Sequence, residues 1–233
     1  MITMRSASER GNANLGWLDS RHSFSFGDYY DPAHMGFGPL RVINEDRVRP
    51  GTGFSAHGHQ DMEIISFVLE GALEHKDSIG AGSVIRPGDV QIMSAGTGIR
   101  HSEFNHSKTE PVHFLQIWIL PDQLGIPPRY DQKTFPASEK YGRLRLIGSP
   151  NGRGDSIVIN QEVEIYDALL DASATVSHSL APGRKSWVQV VRGAVDVNGR
   201  VANAGDGAAV EDENNLTVTS RQNGSEILLF DLP

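Results

Sequence analysis

The chain repeats itself, and the repeat limits what it can fold into. The stretch Ile64–His75 (IISFVLEGALEH) is paralleled by Trp187–Val197 (WVQVVRGAVDV), each an apolar run that breaks at a Gly-Ala step, Gly71-Ala72 and Gly193-Ala194. The turn Arg86–Asp89 (RPGD) has its counterpart in Asn203–Asp206 (NAGD), and the apolar segment His113–Pro121 in Glu226–Pro233. Apolar runs of this length bounded by Gly-rich turns read as strands and hairpins. A repeat of whole strand-and-turn units implies two similar barrels. With 25 Gly and 12 Pro in 233 residues, turns are plentiful, and few segments show the spacing of a long amphipathic helix. The expected fold is all-β, with two tandem β-barrels.

Composition shifts between the copies, through Pro121, Pro127-Pro128, Pro136 and the run Ser149–Asp155. Such a Pro- and Gly-rich stretch reads as a linker or a surface connection. The expected organisation is a first barrel over 1–130, a linker over 131–156 and a second barrel over 157–233.

The chemistry is concentrated in the first copy. His57 and His59 stand one residue apart, and His101 and Glu103 form a second pair at the start of another β-rich segment. Residues i and i+2 of a strand share a face, so each pair aims two ligating side chains at one spot. Four such ligands can hold one metal ion. A lone His-x-His in a chain with nine histidines carries little weight, and the second pair supplies what the first lacks. Glu63 has the parity of His57 and His59 and competes with Glu103 as the carboxylate ligand. The second copy offers only His178, so the metal site belongs to the first barrel.

Other residues are candidates for a pocket around that site. His22 is either a hydrogen-bonded structural histidine or a pocket residue. Gln116, in the apolar run Val112–Leu120, is either satisfied in the core or turned toward the pocket. Phe24, Phe26, Phe54 and Phe67 are candidate walls for an aromatic ligand, with core packing the competing role for at least half of them. His113 has no metal-binding residue at i±2 and reads as packed.

Several function classes are excluded or disfavoured. The net charge of −8 and the lack of a basic cluster argue against direct nucleic-acid binding. The chain has no cysteine, which removes disulfides, thiolate metal sites and a cysteine nucleophile. Neither a signal-type apolar region nor a run long enough for a membrane span appears, so a cytoplasmic protein is expected.

The motif Gly51-x5-His57-x-His59-x3-Glu63 resembles the first half of the cupin motif, with Gly71 one residue late. Gly88-x5-Ser94-x-Gly96-x4-His101 departs further, with serine in place of the usual proline and two extra residues before the histidine. Those departures, together with His22–Gly27 (HSFSFG), His57–Glu63 (HGHQDME) and Ser94–Glu103 (SAGTGIRHSE), are similar to the pirin family of two-barrel cupin proteins. The resemblance spans essentially the whole chain. It implies that both barrels are cupin, jelly-roll-like barrels, that the metal ligands are His57, His59, His101 and Glu103, and that Glu63 is a supporting or pocket residue. The implied cofactor is one divalent ion, with Fe(II) the family expectation and Mn, Co, Ni, Cu or Zn compatible with the donor set.

Bacterial pirins are similar to quercetinases. The implied activity is that of a quercetin 2,3-dioxygenase, in which a flavonol or similar aromatic enol meets the metal through its 3-hydroxyl, O2 adds and carbon monoxide leaves. Glu103 is then the expected catalytic group, accepting the hydroxyl proton. Resemblance to nuclear pirins implies an alternative, a non-enzymatic iron-dependent redox regulator of a protein partner. The remaining alternative is a purely structural metal.

Overall fold

The computed structural model describes residues 1–233. Its regular secondary structure is almost entirely strand. The first half holds β1 (Ile2–Arg5), β2 (Gly11–Asn14), β3 (Leu18–His22), β4 (Leu40–Val48), β5 (Gly53–His59), β6 (Glu63–Glu70), β7 (Leu73–Asp77), β8 (Gly82–Ile85), β9 (Asp89–Ser94), β10 (Ile99–Asn105), β11 (Val112–Ile119) and β12 (Arg129–Thr134). A short helix, α1 (Ala137–Lys140), precedes β13 (Arg145–Ser149), β14 (Ile157–Val158), β15 (Glu164–Leu170) and β16 (Thr175–Ser179). The chain ends with β17 (Lys185–Arg192), β18 (Ala194–Val197), β19 (Arg200–Asn203), β20 (Gly207–Val210), β21 (Asn215–Ser220) and β22 (Ser225–Leu232).

The chain divides into two units of the same plan, one comprising 11–134 with 159–161, the other 1–10 with 135–158 and 162–233. Each pairs a seven-stranded sheet with a four-stranded one. In the first unit the orders are β12-β9-β6-β11-β4-β3-β2 and β5-β10-β7-β8; in the second they are β1-β20-β17-β22-β15-β13-β14 and β16-β21-β18-β19. The repeated sequence segments fall on equivalent strands, β6 with β17 and β11 with β22.

The expected boundaries need correction. Residues 131–156, expected as a linker, contain the end of β12, α1 and β13, and Tyr130 at the expected boundary lies inside β12. Residues 1–10 belong to the second unit, because β1 pairs with the sheet edge at β20, Ile2 opposite Val210. β12 extends the first sheet in the same way by pairing with β9, Arg129 opposite Ser94. An open sheet edge accepts any strand with free N–H and C=O groups, whatever its distance along the chain. Sequence proximity therefore misassigns edge strands most easily.

The interiors differ. In the second unit the inward side chains of β16 and β21 include Val176, Leu216 and Val218, which join Val188, Val190, Val195 and Leu229 in one apolar cluster. In the first unit, register alignment lays the side chains of the large sheet in cross-strand rows. Ile64, Trp118 and Val42 form one row, then Ser66, Gln116, Asn44 and His22, then Val68, Phe114, Asp46 and Ser20. The second row is polar throughout, and all four of its members are buried. Buried polar groups on central strands cost free energy unless something satisfies them, so this band marks where the fold accommodates chemistry.

Candidate metal centre

β5 and β10 are adjacent antiparallel strands, with His57 opposite His101 and His59 opposite Ile99. Both expected ligand pairs therefore sit side by side in the four-stranded sheet. The register slips between His101 and Glu103, which faces Phe54, so that β5 bulges around Ser55 and Ala56. A bulge re-aims the side chains beside it. Here it also turns the Ser55 carbonyl toward the His57 ring, which donates to it from Nδ1 at 2.8 Å. Gly53 permits the close passage of β5, since a Cβ there would lie 2.2 Å from the Glu103 carbonyl oxygen.

His57, His59 and His101 converge, each with a ring nitrogen within 4.8 Å of the others. The Nε2 atoms of His57 and His101 are 3.0 Å apart. Burial and the neighbouring His57 ring hold His59 down at about 4, and burial with the surrounding His57, His59 and His75 holds His101 at about 2. Both rings are therefore neutral at pH 7, the form in which imidazole binds a metal.

The outer partners fix which nitrogen carries the proton. His75, fully buried on β7, places Nε2 3.0 Å from Asp77 Oδ2 and Nδ1 3.5 Å from His101 Nδ1. The Asp77 carboxylate only accepts, so His75 carries its proton on Nε2 and presents a lone pair at Nδ1. That lone pair takes the Nδ1–H of His101, and the His101 Nε2 is left as an acceptor. His57 donates through Nδ1 to the Ser55 carbonyl, and its neutral form is an acceptor at Nε2 as well. Two lone pairs facing each other at 3.0 Å repel unless a cation lies between them. The spacing is one that two nitrogens adopt when each is about 2.1 Å from a shared ion. The residues fit a divalent metal.

Glu103 is buried. It accepts from Ser66 Oγ at 3.1 Å and from Gln116 Nε2 at 3.3 Å, both in the polar row. It falls with His101 and His75 in a second group of potential ligand atoms within 4.8 Å, overlapping the histidine group at His101. Burial pushes its carboxyl up to about 7, with Asp46 adding to the shift and Ser66 opposing it.

A cavity of about 970 Å³ opens over His57, His59, Glu103 and Gln116. Its aromatic wall includes Trp17 edge-on to Phe54 at 5.1 Å and Phe26 edge-on to Trp118 at 5.3 Å, and Trp118 also meets the His59 ring at 4.9 Å. His22 lines this cavity and bonds Ser20 Oγ at 2.8 Å. Phe26, Phe54 and Gln116 line it as expected.

Three expected pocket residues lie elsewhere. Phe24 and Phe67 are buried but not in the cavity wall, and Phe67 projects from the face of β6 opposite Ser66. Glu63 is turned away because Gln60–Met62 break the strand, with Asp61 at φ 48°, and the parity shared with His57 and His59 is lost. Its Oε2 instead accepts from Ser94 Oγ at 3.0 Å and from the backbone and side-chain amides of Asn160 at 3.1 Å each. It fastens residues 159–161 to the first unit. His113 pairs with Glu45 at 2.9 Å.

His75, Asp77 and Tyr130 are additions to the expected set. Tyr130 of β12 packs on the His75 ring at 4.9 Å and bonds Ser83 and Gln132. The signal for His75 was the spacing itself, since His75-Lys76-Asp77 repeats the His-x-carboxylate pattern of His101-x-Glu103 on the return strand of the Gly71 hairpin.

The family model described as Pirin matches residues 3–119, and that of the quercetinase C-terminal cupin domain matches 146–232. The chain belongs to the pirin family. It is 51% identical over its whole length to a quercetin 2,3-dioxygenase of Escherichia coli, 99% of which is covered. The solved structure of the bacterial pirin YhhW from Escherichia coli in complex with nickel(II) superposes with a TM-score of 0.95 at 49% identity, covering 100% of this chain and 99% of that one. A second structure of YhhW gives a TM-score of 0.96 at 49% identity, covering 100% of this chain and 98% of that one. The tandem cupin architecture expected from the repeat is that of these pirins, and the first barrel carries a metal-binding site. No helix is long and apolar enough to cross a membrane.

Proposed function

We propose that this pirin is a metal-dependent dioxygenase of the quercetin 2,3-dioxygenase type, opening a flavonol or similar aromatic enol with O2. The observation that carries the reading is the convergence of His57, His59 and His101 beside an aromatic-walled cavity of about 970 Å³ that His57, His59 and the buried Glu103 line. Identity of 51% to a quercetin 2,3-dioxygenase supports it.

His57, His59 and His101 are the proposed ligands, with Glu103 the fourth. A divalent ion held there supplies Lewis acidity toward an enol hydroxyl. Fe(II) is the proposed resident ion, and the nickel found in the YhhW complex fits the tolerance of such a donor set. Trp118, Phe26 and Phe54 hold a flat aromatic ligand and keep water from the reacting face. Glu103, whose carboxyl is raised by burial in the metal-free protein, is the proposed acceptor of the hydroxyl proton. Ser66 and Gln116 steady its oxygens for that task. Asp77 and His75 orient the His101 ring from behind, and Tyr130 packs His75 in place.

The test is anaerobic loading with Fe(II), followed by O2 uptake and carbon monoxide release with quercetin, beside the Glu103→Gln protein. Turnover that needs both the metal and Glu103 is the expected result. No turnover from protein holding one ion per chain would reject the enzymatic reading and direct the search to a redox-dependent protein partner.

A further inference from the structure

Two side chains in the cavity of the first unit are not among the proposed metal ligands and have no complete set of partners. Asn44 and Asp46 project from β4 into the cavity, and both are at least 96% buried. Each keeps one fully buried oxygen, Oδ1, with no hydrogen-bond donor. Asp46 is otherwise held only through Ser20, which in turn bonds His22 Nε2 at 2.8 Å. An orphaned buried acceptor costs free energy, and two side by side on one strand are hard to explain as packing. Val or Leu at 44 and 46 would avoid that cost, and β15, which holds the place of β4 in the second unit's seven-stranded sheet, gives Ala168 and Leu170 to the apolar cluster there.

Their position along the sheet shows which end of a ligand they would meet. Trp118, against His59, lies opposite Val42. Asp46 is four residues farther along β4, a distance of roughly 13 Å at about 3.3 Å per residue. That is the length scale of a three-ring planar molecule. A ligand with one end at Trp118 and His59 brings its other end to Asp46 and passes Asn44 about half-way, opposite Gln116.

We propose that Asn44 and Asp46 form a hydroxyl-recognition subsite, selecting planar aromatic ligands that carry hydroxyl donors beyond the end held at His59, with Asp46 meeting the far ring. The subsite deepens the quercetinase reading and rests on it. Ser20 and His22 orient Asp46 through their hydrogen-bond chain, and the ligand hydroxyls complete it. A site built from buried acceptors discriminates strongly against analogues that lack the donor, because those acceptors stay unpaired in the complex.

The experiment compares two flavonols, quercetin with its several ring hydroxyls and 3-hydroxyflavone with the 3-hydroxyl alone. Binding to the metal-loaded, anaerobic protein is read by quenching of tryptophan fluorescence. Wild type should prefer quercetin by about 10- to 100-fold. In Asp46→Leu and in Asn44→Leu the preference should fall to within a few fold, through loss of quercetin affinity with 3-hydroxyflavone affinity kept. Equal affinity of wild type for the two flavonols would overturn the subsite even if neither variant folds. Equal loss of both flavonols in the variants would overturn it too. Binding of neither flavonol by wild type would refute the quercetinase reading and the subsite with it.

Discussion

The Nε2 of His101 lies 3.0 Å from the Nε2 of His57, and the Nδ1 of each ring is already committed elsewhere, to His75 and to the Ser55 carbonyl. With both rings neutral, two acceptors are turned toward each other, an arrangement that repels without a cation and becomes favourable around one. Strand register makes the approach, and the partners behind the rings set its sign.

Because Asp77 acts on His101 only through His75, weakening it should reduce metal affinity without removing a ligand. Asp77→Asn and His75→Leu are expected to lower Co(II) affinity by about 10- to 100-fold while leaving the stoichiometry at one. Calorimetric titration gives both numbers. Two ions bound per wild-type chain would show that His75 is itself a ligand with His101 and Glu103, and would overturn the supporting role.

Glu63 and Glu103 separate in the structure although both are carboxylates near the histidines in sequence. Glu63→Gln should keep one metal per chain and lower the melting temperature, since the residue fastens Asn160 and Ser94. The weakened bonds cost about 1–3 kcal/mol. Metal analysis beside thermal unfolding checks both; metal lost on Glu63→Gln would return that residue to the ligand set.

Burial lifts Asp46 from the ordinary aspartate value of 3.8 to about 7. Between those limits the folded protein holds a proton that the unfolded chain has released. The stabilisation this proton provides is complete below about pH 4 and is lost as pH rises through about 7. Metal-free wild type should therefore lose stability relative to Asp46→Asn across that window. Urea unfolding of the two proteins at several pH values tests the sign, and parallel pH profiles would contradict it.

In the second unit Lys140 is buried between Asp167 at 2.6 Å and Glu226 at 2.8 Å. Lys140→Met leaves two buried carboxylates facing each other and should cost about 3–5 kcal/mol. Replacing all three by apolar residues of matching size should recover most of that loss. Urea midpoints for the single and triple variants decide the point, and a loss within experimental error for the single variant would refute it.

The two-barrel fold was legible because strand and turn chemistry recur in both halves of the sequence, from Gly71-Ala72 to Gly193-Ala194. The histidine ligand candidates were legible because a two-residue period survives within β5 and β10. Glu63 was misplaced where that period fails, at the break through Asp61, whose positive φ no pattern of apolar residues announces. Phe24 and Phe67 take the core-packing role, which the sequence left open because an aromatic residue looks the same there whether it faces a cavity or the back of a sheet. The edge strands β1 and β12 were hidden because edge pairing depends on which backbone is nearby in space. Asn44 and Asp46 became visible only when register set β4 beside β11, a strand distant in the chain, and aligned them with Gln116 and Phe114.

The most direct test is the metal content of wild type, His57→Ala and His101→Ala after loading with Fe(II) or Ni(II) and removal of excess ion, with circular dichroism confirming the fold. One ion per chain in wild type and none in either variant is the predicted result. Stoichiometric metal retained in both folded variants would contradict the centre.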